Sequence, residues 1–304
     1  MKIGKPISII KTRWRGRNRM KKLLALVTFA LVLILAACGG GNESEDGADN
    51  GSSEGSEETN EITVGASSVP HAEILEEAQP LLEEQGVTLH IEEYQDYILP
   101  NDDLDNGTLD ANYFQHIPYL NQTVEDTGYE IESIGAIHVE PMGVYSKGIA
   151  SVDDIADGTE VILSNSVSDH GRILTLFERE GLITLDESVE KSAATIDDIV
   201  ENPKNLVFSP DYDPALLPEL YNSEEDVLAV INTNYAIGIG LNPLEDALFV
   251  EDEETDYLNV IAVRSEDADK EALKKLVEVL KSEEIQNFMM ENYDGAVLPV
   301  EGEK

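Results

Sequence analysis

Only one cysteine, Cys38, stands among 304 residues, which excludes an intramolecular disulfide and any cysteine-based metal site. Basic residues are scarce as well. Nine of the 20 Lys and Arg fall in the first 37 residues, which hold no Asp or Glu, so the remaining eleven face 62 acids. A chain so acidic repels nucleic acid and anionic lipid, and nucleic-acid binding leaves the candidate functions. Such an excess suits a salty exterior, where ions screen the self-repulsion. Disorder is excluded by the 41% of hydrophobic residues, which fall in periodic blocks. His-Glu-x-x-His clusters, Gly-x-Ser-x-Gly elbows and Gly-rich phosphate loops are missing too, so neither an enzyme nor a resident metal or cofactor is expected.

What is there begins with a leader. Met20-Lys-Lys22 is a basic start, Leu23 to Leu35 an apolar run, and Leu35-Ala-Ala-Cys38 resembles a lipobox. The run falls short of the roughly 20 residues that span a bilayer. Residues 1–37 therefore read as a signal peptide cleaved before Cys38, whose sulfur then carries a diacylglycerol on the outer face of the cytoplasmic membrane. Translation starts at Met1 or at Met20. Residues 38–60 comprise the lipidated cysteine and a tether with seven acids and no base, a coil reaching roughly 25 Å.

Folded sequence starts at Glu61. Ile62, Val64 and Ala66 alternate as a strand. Pro70 opens a helix striped by Ile74, Leu75, Ala78, Leu81 and Leu82 and closed by Gly86, and Val87, Leu89 and Ile91 alternate again. Strand, helix and strand at this spacing make a βαβ unit and a parallel sheet. The pattern recurs from Glu160, with a loop from Ser164 to Gly171 and a helix ending at Gly181. Lys270 to Tyr293 reads as two helices docking on the first lobe. The expectation is two α/β lobes around a ligand cleft, with residues 61–140 and 237–304 in lobe one and 141–236 in lobe two.

Two places carry candidate chemistry. Asp110-Ala-Asn-Tyr-Phe-Gln-His-Ile-Pro-Tyr-Leu120 packs three aromatics, a histidine and two amides into eleven residues of a chain only 6% aromatic. Its rings recur at helical spacings, so Phe114, His116 and Tyr119 converge on a pocket or, equally, edge an ordinary core. Arg172 is one of three arginines after the leader. It follows Asp169-His-Gly171 at the start of a helix, where free N–H groups and a guanidinium together suit a carboxylate.

The 110–120 stretch resembles the signature of the NlpA-type lipoproteins, methionine-binding receptors of ABC importers. Six more stretches match in order: Pro70-His-Ala-Glu-Ile-Leu75, Asp96-Tyr-Ile-Leu-Pro-Asn101, His138-Val-Glu-Pro-Met-Gly-Val-Tyr-Ser146, Asp198-Ile-Val-Glu-Asn-Pro203, Val230-Ile-Asn-Thr-Asn-Tyr-Ala236 and Asn259-Val-Ile-Ala-Val-Arg264. The resemblance covers residues 61 to 300. It implies a type II periplasmic-binding-protein-like fold, with a small-molecule ligand, an ABC permease and its ATPase as partners. It further implies that Arg172 grips the amino-acid carboxylate, that Tyr97, Phe114, His116 and Tyr119 enclose a thioether, and that Asn232, Asn259 and Asn234 lie near the polar end. His71 and His138 are read as structural or hinge-lining groups. Asp169 replaces the usual asparagine, either capping the helix or accepting the ligand's ammonium. Ser209 to Pro218 also departs from the family pattern. Another amino acid, a methionine dipeptide, or a surface lipoprotein binding a protein partner are the alternatives.

Overall fold

The computed structural model describes residues 60–252 and 256–300; the leader, Cys38 and the acidic tether expected at 38–60 lie essentially outside these residues. β1 (Glu61–Ser67) buries Ile62, Val64 and Ala66. A π turn at Ser68–Ala72 leads into α1 (Glu73–Glu84), whose Ile74, Leu75, Ala78 and Leu82 form the buried stripe. Gly86 stops the chain there at φ 77, a conformation that costs glycine little. β2 (Thr88–Tyr94) runs parallel to β1, and after α2 (Leu99–Asp105) β3 (Ala111–His116) runs parallel along the other edge of β1.

The stretch from 110 to 120 is thus strand and then helix, not one helical surface. β3 passes directly into α3 (Ile117–Thr127), with Pro118 in the first turn. The reason is burial: every residue of β3 is buried, because it lies between β1 and a later strand with helices over both faces. Such a strand shows no polar alternation, so its period cannot be read.

β4 (Ile131–Val139) leads to the first crossing. Beyond it come β5 (Gly143–Tyr145), β6 (Glu160–Ser164) and α4 (Val167–Arg179), which starts well before the expected helix and puts Arg172 in the second turn, not the first. Serines and Asp169 made this segment look like a loop. Gly171 lets α4 press on the chain: a Cβ there would come within 2.3 Å of the Ser192 carbonyl oxygen. There follow β7 (Thr184–Leu185), β8 (Ile199–Glu201), β9 (Val207–Tyr212), α5 (Leu217–Ser223), β10 (Leu228–Ile231), α6 (Thr233–Gly238), α7 (Pro243–Asp246) and β11 (Phe249–Val250). β12 (Leu258–Arg264), α8 (Glu271–Leu280), α9 (Glu283–Asn292) and β13 (Leu298–Pro299) complete the described chain.

Two sheets result, ordered β13-β4-β12-β3-β1-β2 and β11-β5-β10-β6-β9. α1, α8 and α9 share one core with the first sheet, and Leu104 of α2 and Leu120 of α3 fill a second core on its other face. The second sheet is likewise covered by α4 on one face and by α5 and α6 on the other. β11 pairs antiparallel with β5, Phe249 opposite Val144, so the return to the first sheet comes after residue 250. The switch expected between 236 and 237 is therefore too early. A two-residue strand leaves no periodic trace in the sequence.

Candidate functional site

The C-terminal end of β3 faces those of the neighbouring parallel strands β6 and β10 across the crossings, where ligands of open α/β sheets bind. His116 ends β3, Asn232 follows β10, and α4 leaves β6 with Asp169 and Arg172 in its first two turns. Asn259 arrives from β12, directly opposite His116. The nine residues singled out above (Tyr97, Phe114, His116, Tyr119, Asp169, Arg172, Asn232, Asn234 and Asn259) all line one cavity, joined by Gln115, Glu140 and Thr233. Its free volume is about 30 Å³, room for about two waters, so seating an amino acid requires the lobes or rings to move apart. A wider groove of about 320 Å³ adjoins it at Tyr97 and Tyr119.

One end of the cavity is aromatic. The Tyr97 ring lies 5.8 Å from Phe114, 6.0 Å from Tyr119 and 5.2 Å from Tyr235. Tyr119 donates its hydroxyl to the Tyr97 carbonyl at 3.0 Å, and Tyr97 donates to Asn234 Oδ1 at 2.5 Å. These rings are held beneath by amides. Asn101, Asn112 and Gln115 bond mutually at 2.7–3.0 Å, which ties the 96–101 segment to β3. The amides of the 110–120 stretch are thus largely structural.

The other end is charged. The His116 imidazole caps α3, its Nδ1 accepting the Tyr119 N–H at 3.0 Å. Nδ1 is therefore unprotonated, and Nε2–H donates to Asp169 Oδ1 at 2.9 Å. Arg172 donates to the same oxygen through Nε at 3.0 Å and Nη2 at 2.8 Å, and Asn232 donates to Oδ2 at 3.2 Å. Burial alone would raise the Asp169 pKa, but Arg172 and these hydrogen bonds outweigh it and hold the carboxyl well below the usual range. Of the two roles weighed for Asp169, helix capping is not seen: Ser166 stands at the start of α4, and the Asp169 carboxylate lies within the first turn with Arg172, His116 and Asn232 as its partners. Arg172 Nη1 lies 3.4 Å from Glu251, and the guanidinium stacks 4.4 Å from the Tyr257 ring centroid.

Beneath the cavity lies a second polar knot. Glu140 Oε1 accepts from His138 Nε2 at 2.9 Å and lies 3.4 Å from His71 Nε2, while Oε2 accepts the Asn234 N–H at 3.0 Å. His71 also bonds Asn259 Oδ1 at 3.0 Å. Burial lowers the His71 pKa to about 4 against the pull of Glu140, and lowers that of His138 to about 3; it raises that of Glu140. By type these three groups suit a divalent cation. Their contacts, however, are those of a hydrogen-bonded seam at the first crossing.

Sequence reasoning passed over Glu140, Gln115 and Thr233, although all three stand inside motifs quoted above. Tyr235 was likewise inside one. Tyr257, beside Arg172, carried no signal.

Two lobes with doubly covered sheets, facing edges and a cavity at their crossings define a two-lobe substrate-binding protein of the periplasmic-binding type. The profile of the NlpA lipoproteins matches residues 62–301, and the chain belongs to that family. It is 45% identical over 284 residues to the methionine-binding lipoprotein MetQ of Bacillus subtilis, covering 92% of this chain and 99% of that protein. Among solved structures, a pheromone cOB1 precursor/lipoprotein of the YaeC family from Enterococcus faecalis superposes with a TM-score of 0.77 at 49% identity, covering 79% of this chain and all of that one. A nutrient-binding protein from Burkholderia cenocepacia, solved bound to methionine, gives 0.74 at 38%, covering 78% and 99%.

Proposed function

We propose that this chain is a lipid-anchored extracytoplasmic receptor that closes its lobes on methionine and delivers it to an ABC permease driven by a cytoplasmic ATPase. The carrying observation is the cavity itself, with rings at one end and ionic groups at the other, lined from both lobes. A thioether against the edges of Tyr97, Phe114 and Tyr119 gains roughly 0.3–1.5 kcal/mol per contact beyond the burial of its methylenes. Arg172, Asp169 and the asparagines take the polar end. The family relation and the methionine named for its relatives support the choice of ligand. Lipidation at Cys38 and the membrane location rest on the leader sequence. Among the described residues no helix is long and apolar enough to cross a membrane.

The test is thermal unfolding of ligand-stripped protein with L- and D-amino acids and methionine dipeptides. A ligand at 100 times its Kd adds about 2.7 kcal/mol, a shift of several degrees. A shift with methionine supports the reading, and a shift with another amino acid alone moves the specificity elsewhere on the same fold.

A further inference from the structure

We infer that Glu251 and Tyr257 are positioning residues: from the two sides of the second crossing they hold the Arg172 guanidinium, so that Arg172 is fully seated only while the lobes are together. The inference rests on the reading of this cavity as the ligand site and goes beyond it by naming what links that site to lobe closure.

Glu251 follows β11, the end of the second sheet, and its backbone N–H donates to the Met142 carbonyl at 2.9 Å. Its side chain completes the pair, Oε2 accepting the Met142 N–H at 3.2 Å. Met142 lies in the first crossing, between β4 and β5. The same Oε2 stands 3.4 Å from Arg172 Nη1. One carboxylate oxygen therefore serves a crossing and the guanidinium together.

Tyr257 stands on the other side. It immediately precedes β12, which lies between β4 and β3 in the first sheet, and it is only 7% exposed. Its ring faces Arg172, with the guanidinium carbon 4.4 Å from the ring centroid, and meets the His116 ring edge-on at 5.0 Å. Arg172 itself rides on α4 in the second lobe. Its charge is thus held by Asp169 on its own helix, by Glu251 at the end of its own lobe, and by an aromatic face that belongs to the other lobe.

Rotating one lobe against the other carries Tyr257 and His116 with the first sheet, whereas Asp169 and Glu251 stay with α4 and β11. Opening therefore leaves the guanidinium its acids and strips its aromatic face. A buried cation over a ring is a contact made in one arrangement and lost in the other, and only such a difference lets the seating of Arg172 favour closure. Neither Glu251 nor Tyr257 lines the cavity, so their effect reaches a ligand through Arg172.

Small-angle scattering of the purified, ligand-stripped protein decides this through a cycle of wild type, Tyr257→Leu, Arg172→Ala and the pair together. Each single substitution should raise the radius of gyration. The pair should raise it no further than Arg172→Ala alone, because the tyrosine acts through the guanidinium. Calorimetric titration with methionine should then show Tyr257→Leu binding about tenfold more weakly, as the closed, competent form becomes rarer. Glu251→Gln keeps an acceptor for the Met142 N–H and removes the charge beside Arg172. It should shift radius and Kd in the same direction by a smaller amount, and it takes the place of Tyr257→Leu in the cycle should that variant not fold. A tyrosine that only fills space would lower the Tm and leave radius and Kd unchanged; that result overturns the inference, as do increments that add in the paired variant. The scattering cycle uses no ligand. If methionine fails to bind while the cycle holds, the methionine reading falls and the inference stands; if methionine binds and the cycle is flat, the reverse holds.

Discussion

Two buried polar assemblies border one cavity, the upper one with four side chains and the lower one through Glu140 and Asn259, and they follow opposite rules. The upper one, His116–Asp169–Arg172–Asn232, spans the lobes and keeps full charges, each answered by a neighbour within 3.2 Å. In the lower one, burial drives His71 and His138 neutral around a single carboxylate. Charge is kept where a ligand can answer it, and suppressed where the chain needs only a rigid seam between β4 and α6.

The comparison breaks first at Asp169. Asp169→Ala removes the nearest partner of a buried guanidinium and leaves it only Glu251 at 3.4 Å, and urea unfolding should register a loss of about 3–5 kcal/mol; a change under 1 kcal/mol would mean that Glu251 or water takes over Arg172. Arg172→Ala should next lower methionine affinity by about 2–5 kcal/mol in titration, and a loss below tenfold would take the guanidinium out of the site.

Acidification separates the assemblies. An unfolded histidine takes its proton near pH 6.5, whereas His71 and His138 resist until about 4 and 3, so stability is lost as pH falls below 6.5. The slope is at most about 1.4 kcal/mol per pH unit for each histidine. Glu140, with its raised pKa, gains a proton in the fold before the unfolded chain does and offsets part of this loss. The depressed pKa of Asp169 has the opposite window: its contribution persists through this range and is lost only below the ordinary carboxylate range. The free energy of unfolding at pH 7 should therefore exceed that at pH 5 by at most about 4 kcal/mol, less the Glu140 offset, and His71→Asn should flatten the slope; an unchanged slope would show that the knot is wet. Least affected should be Tyr119→Phe, which deletes the hydroxyl bond to Tyr97 for about 1 kcal/mol in the same unfolding measurement. A larger loss would give that tyrosine a part in the charged end.

Much of this was legible in the chain. The alternation at Ile62, Val64 and Ala66, the stripe from Ile74 to Leu82 and the stop at Gly86 gave the first βαβ unit, because α1 is exposed on one side and β1 alternates its apolar residues with Thr63, Gly65 and Ser67 although only Glu61 of that strand is exposed. β3 was not legible, since it is buried on both faces and a helix period fits its rings by accident. β11 was too short to read. The candidate residues surfaced through motif matches, since residues 97, 116, 172, 232 and 259 share no local pattern and meet only when two sheets close on each other. Hydrogen bonding was hidden altogether: nothing in the sequence says that Asp169 would take Nε and Nη2 of Arg172, because that depends on α4 starting at Val167.

β13 has a practical bearing on how the molecule is handled. Leu298 and Pro299 pair with Val139 and His138, and the Val300 N–H reaches the Ile137 carbonyl at 3.0 Å, so the final residues are stitched to the strand that carries the chain into the first crossing. A purification tag or sensor surface attached after residue 300 would pull directly on that strand beside the first crossing. Glu61 begins β1 about 20 Å from its cleft-side end, and a handle there leaves the moving parts unloaded.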